Sequence, residues 1–146
     1  MLPLCLWGVL ATGCSSDNDE PKPTLADAYI HKVFEFKPAV GQFVNEMPLA
    51  TVRDTEETML LKAEKAIKGH GVNREGISLG GFGGSVVFGF KNRVKNVPGF
   101  CDFRVEGNAI EKASEPGVIW VMEDTNGNGL PDDVWYQIRG SEYANA

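Results

Sequence analysis

The chain is poor in histidine, cysteine and clustered positive charge, and each shortage excludes a class of function. Among its 146 residues the two histidines, His31 and His70, lie far from Cys101, so no Cys–His nucleophile pair is written into any local stretch. Cys5 and Cys14 fall in an N-terminal apolar segment, and the one thiol left over builds no disulfide framework. Fourteen Lys+Arg stand against 20 Asp+Glu, a formal net charge of -6, and no basic cluster interleaves with aromatics; nucleic acid is not an expected partner. The length suggests one domain, and 17 glycines and 8 prolines imply many turns.

The most informative stretch is Asp124-Thr125-Asn126-Gly127-Asn128-Gly129-Leu130-Pro131-Asp132-Asp133. Asp124, Asn126 and Asn128 put oxygen-bearing side chains at alternate positions, and Gly129 follows where the chain must reverse. A hard cation such as calcium takes about six to eight oxygen ligands, and this spacing wraps them round one point. The Leu130 carbonyl, with Asp132, Asp133 or both, would complete the shell. The EF-hand's bidentate Glu is missing, since Trp135 holds its place. The flanks, Val118 to Glu123 and Val134 to Ile138, have strand composition, so the expectation is a calcium-type loop at the head of a β-hairpin. Asn126-Gly127 and Asn128-Gly129 also build tight turns without any metal. Charge favours the metal: three aspartates lie within this loop with no Lys or Arg between them. The ion would be structural, because no His or Cys adjoins the loop.

Met1 to Gly13 carries no charged side chain and runs Leu2, Leu4, Leu6, Trp7, Val9, Leu10 into Ala11-Thr12-Gly13-Cys14. An apolar run of this length ending in small residues reads as an export signal, too short to span a bilayer. The residues before Cys14 resemble a lipobox, which makes residues 1–14 a lipoprotein signal and Cys14 the site of lipid attachment. Residues 15–28 include a polar, acidic, proline-bearing stretch that buries no apolar area and reads as a flexible tether. The folded domain is expected at residues 29–146.

Within it, Tyr29 to Lys37 is β-rich and stops at Pro38. Thr55 to Lys68 has the one helical period, with Leu60, Ala63 and Ile67 as an apolar stripe, Asp54 as the expected N-cap and Gly69 as the stop. The helix is expected to lie on a sheet with its charges in solvent. Phe100 to Glu106 alternates, which predicts a strand with Cys101, Phe103 and Val105 in the core. Val118 to Met122 is apolar on both faces and reads as a central, buried strand.

A glycine-rich run, Leu79-Gly80-Gly81-Phe82-Gly83-Gly84, separates strand-like Ile77 to Leu79 from Val86 to Phe90. It is not a nucleotide loop: no Gly-Lys-Ser/Thr follows, and a strand rather than a helix N-terminus comes next. The glycines are expected to serve a turn and close sheet packing, with Val86, Phe88 and Phe90 on one face. Short strands at roughly ten- to fifteen-residue spacing, punctuated by Gly and Pro, predict a mainly β fold, a β-sandwich or jelly roll with one amphipathic helix.

Taken together, Ile77 to Gly84, Pro98-Gly99 with Asp102-Phe103, Glu115-Pro116-Gly117, the Asp124 to Asp133 loop with Trp135-Tyr136, and Gly140-Ser141-Glu142-Tyr143 resemble a family of Bacteroidetes cell-surface lipoproteins. The similarity runs from about Tyr29 to Tyr143. The acidic Ser15 to Glu20 cluster is likewise similar to the surface-export signal of such proteins. The resemblance implies an extracellular β-domain on the outer membrane and supplies no catalytic residues. Members continue past the Gly140 to Tyr143 segment, which implies a C-terminally truncated chain with an open sheet edge. The expected function is a non-catalytic, calcium-stabilised module that binds a small-molecule nutrient, a glycan or an outer-membrane partner protein. It would touch the membrane through its lipid anchor alone. The alternatives are a structural or adhesive domain, and a secreted hydrolase using carboxylates such as Asp102 and Glu106.

Overall fold

The computed structural model describes residues 28–68, 76–107 and 115–140. The signal, Cys14, the tether up to residue 27 and the helix stop at Gly69 lie outside them. In chain order the elements are β1 (Ile30–Lys37), α1 (Glu56–Ile67), β2 (Ser85–Phe90), β3 (Trp120–Met122) and β4 (Trp135–Gln137). β1 pairs antiparallel with β2, and β3 pairs antiparallel with β4, giving two small two-stranded sheets. The fold is thus mainly strand and irregular chain with one helix. None of the described helices is long and apolar enough to cross a membrane.

The core depends on an irregularity in β1. Ile30, Val33 and Phe36 recur every third residue, which in a regular strand would send Val33 and Phe36 to opposite faces. The ladder instead shifts by one residue between Ile30 and Lys32, and again between Val33 and Glu35. Ile30, Val33 and Phe36 therefore stand opposite Phe90, Phe88 and Val86, which alternate normally on β2. Each extra residue converts a three-residue step into a two-residue one and puts all six side chains on one face. Phe88 and Phe90 meet edge to face at 6.0 Å, the arrangement favoured by the ring quadrupoles. On the other face Phe34 lies over Gly89, with the Lys32 ammonium 4.7 Å from its ring centroid.

The apolar stripe of α1 covers that face. Ala63 is fully buried against Val33 and Phe36, while Met59, Leu60, Ile67, Ile77, Leu79, Val86 and Phe88 pack round them. Among the described residues these three are the whole fully buried apolar set, so the core is small. The helix begins one residue later than expected: Thr55, not Asp54, is the N-cap. Its hydroxyl accepts from the Thr58 N–H, and the Thr58 hydroxyl in turn accepts from the Thr55 N–H. Asp54 braces the loop before the helix. Its carboxylate accepts from the Lys62 ammonium at 2.7 Å and from the N–H and hydroxyl of Thr51, and these bonds hold it well below the usual carboxylate range.

The glycine-rich run does pack closely, as expected, but beside a loop rather than between two strands. Residues 77–81 run alongside residues 39–47, joined by the bonds Ala39 N–H to Leu79 O, Ser78 N–H to Met47 O and Gly81 N–H to Val40 O. A Cβ on Gly84 would collide with the Leu79 carbonyl, and one on Gly80 with that of Ala39.

Two other expectations are corrected. Phe100 to Glu106 forms no strand, and Cys101 is exposed rather than in the core. Alternation there has no partner strand among the described residues to make one face an interior. β3 pairs only with β4 and is no central strand: Trp120 is half exposed, because burial on two faces needs a layer on each, and no such layer occurs among the described residues.

One carboxylate ties helix to sheet. The Glu64 Oε2 accepts the Val33 N–H at 3.0 Å while Oε1 accepts from Lys68 at 3.0 Å, and the Val33 bond is the main cause of its lowered pKa. A depressed native pKa means stability that is complete above the unfolded value of about 4.3 and is lost as pH falls through the native one. Urea unfolding should therefore show a steeper loss of stability below about pH 4.3 for the wild type than for Glu64→Gln, with the two curves converging in acid.

The glycines separate steric from conformational demand. Gly84→Ala meets backbone and should cost about 3 kcal/mol, at the upper end for point changes. Gly83, at φ 91° with open space within 4 Å of where a Cβ would stand, should cost only about 1–2 kcal/mol as Ala. Equal costs in chemical denaturation would contradict the close packing.

Candidate metal centre

The loop between β3 and β4 brings most of the predicted ligands together. β3 and β4 align Trp120 with Gln137, Val121 with Tyr136 and Met122 with Trp135, and the Ile138 N–H reaches the Ile119 carbonyl beyond them. This pairing sets Asp124 and Asp133 near each other across the base of the loop. Gly127 and Gly129, both at φ 71°, take the left-handed conformation that lets the intervening chain coil back.

Each side chain then folds onto the loop. The Asp124 carboxylate accepts the N–H groups of Asn128 (3.1 Å) and Gly129 (2.9 Å), one on each oxygen. The Asn126 carbonyl oxygen accepts the Asn128 N–H at 2.9 Å, and that of Asn128 accepts the Leu130 N–H at 2.7 Å. These are Asx turns, in which a short polar side chain imitates backbone. The amide nitrogens of Asn126 and Asn128 donate to the two oxygens of Asp132, at 3.2 and 2.9 Å.

The structure thus separates the two candidate aspartates. Asp132 gathers with Asn126 and Asn128, and the Asn128 N–H is shared between the side-chain oxygens of Asn126 and Asp124. Asp133 turns instead to Thr125, accepting its N–H and its hydroxyl, while the Asp133 N–H donates to the Met122 sulfur at 3.3 Å. Leu130 takes part through its backbone N–H, with its side chain half exposed.

The donor chemistry suits a hard cation. Asp124 and Asp132 offer carboxylate oxygens and Asn126 and Asn128 carbonyl oxygens, an oxygen-only set of the kind calcium takes. Groups of three or more His, Cys, Asp or Glu able to hold a metal do not occur among the described residues. The loop draws on amides as well as acids. Its charges are also met from within, by backbone N–H, amide and hydroxyl donors, which sequence reading alone did not reveal.

The two carboxylates named for a hydrolase each engage another group. Asp102 accepts the Val97 N–H at 2.8 Å, and Glu106 pairs with Arg104 at 3.0 Å. Both segments are exposed and irregular.

The register of the hairpin sorts its aromatics. Trp120, Met122, Trp135 and Gln137 share one face, and Val121 and Tyr136 the other. Trp120 is 50% and Trp135 37% exposed, on opposite strands of the same face and directly below the loop. Composition alone does not say which of these rings stand together; the register does.

Comparison of the chain with protein-family models and with curated proteins finds no match.

The hydrogen bonds assign Asp133 a bracing role that needs no ion. In chelator, Asp133→Ala should lower the melting temperature by unhooking Thr125, a loss of about 1–3 kcal/mol. Thr125→Val should reproduce much of that loss, and additive effects of the two changes would show that they do not act through one contact.

Proposed function

We propose that this chain is a surface-exposed, outer-membrane lipoprotein, attached through Cys14, whose domain is a non-catalytic, calcium-stabilised binding module. The observation that carries the reading is the gathering of Asp124, Asn126, Asn128 and Asp132 at the head of a hairpin with Trp120 and Trp135 exposed on one face. A bound cation would supply charge neutralisation. The chain's own part is to hold four side-chain donors on one short loop and to keep Asp133 out of the set.

Two aromatic rings beside Gln137 suit a partner that combines apolar and hydrogen-bonding surface, such as a glycan or other small-molecule nutrient, or a partner protein. Steady exposure of such rings is what a recognition surface needs. A non-catalytic role is favoured because Asp102 and Glu106 are each engaged by another group, the Val97 N–H and Arg104. Among the described residues each sheet has only two strands, and the outer edges this leaves favour, as a second reading, a structural or adhesive domain that works by strand addition. For the fold, the two antiparallel sheets and the many turns are what favours a β-sandwich or jelly roll as the finer description.

Lacking the bidentate Glu, the loop should bind calcium weakly, with Kd on the order of 0.1–1 mM, as extracellular modules do. At about 100 times Kd the folded state gains ~2.7 kcal/mol by mass action. Thermal melting should therefore rise with calcium and far less with magnesium, which demands stricter geometry. Asp132→Ala should abolish the rise; Asp133→Ala should melt lower yet keep it. A wild-type melting curve unmoved by ~10 mM calcium, well above the weak-site range, would sink the metal reading.

Export is tested separately. Metabolic labelling with a palmitate analogue should mark the wild-type protein, and Cys14→Ala should lose the label. An unlabelled wild-type protein would overturn the anchor while leaving the calcium result to stand on its own.

A further inference from the structure

We draw no further inference here: the strongest candidate, the apolar patch of Phe82 and Val40 exposed at the tip of the glycine-rich turn, is unpartnered and nothing in the structure shows what covers it.

Discussion

The two one-residue shifts in the β1–β2 ladder are the constraint on which the core depends. Without them Val33 and Phe36 would face opposite ways, and α1 would have one large side chain to cover instead of a continuous face. With them, three residues of β1 meet three of β2, and Ala63 can approach closely because its methyl leaves room for Val33 and Phe36. The shift beside Val33 occurs where Glu64 takes up that residue's N–H. A helix carboxylate thus satisfies a strand donor beside the irregularity, where a buried, unmet N–H would be costly. Backbone irregularity, apolar burial and one charge-assisted hydrogen bond support one another.

The β3–β4 hairpin is held by different means. Its strands are three residues each, and much of its apolar surface is exposed. A two-stranded ribbon of this kind has little stability of its own. Its order is concentrated in the loop, where Asx turns, the Asp124 caps and the Thr125–Asp133 contact fix the chain. The same side chains that shape the loop are the ones proposed to hold a cation. Asp132 and Asp133 are adjacent and chemically identical, yet one faces the loop's donors and the other its base.

Local chemistry carried much of the architecture. Period and capping residues placed the helix to within a residue, since the apolar stripe and the first-turn acids are local signals. Asp54 misled because an N-cap and a loop brace share one composition; the Thr55–Thr58 exchange and the reach of Lys62 decide between them. The β-rich stretches that became β1, β2, β3 and β4 were legible, whereas Phe100 to Glu106 was not, because alternation marks a strand only where another strand supplies the ladder. Cys101 is exposed for the same reason.

What the sequence by itself determined is therefore local: the helix, the glycine turn, the hairpin with its oxygen-rich head, and the absence of any Cys–His or phosphate-binding pattern. Tertiary structure decided the rest. It set the shifts that align Ile30, Val33 and Phe36, the close approach of residues 39–41 to the glycines, the placing of Trp120 and Trp135 on one face, and the different hydrogen-bond partners of Asp132 and Asp133. Each of these depends on which backbone lies opposite. Propensity and spacing along one chain carry no information about a partner strand until the chain has folded back upon it.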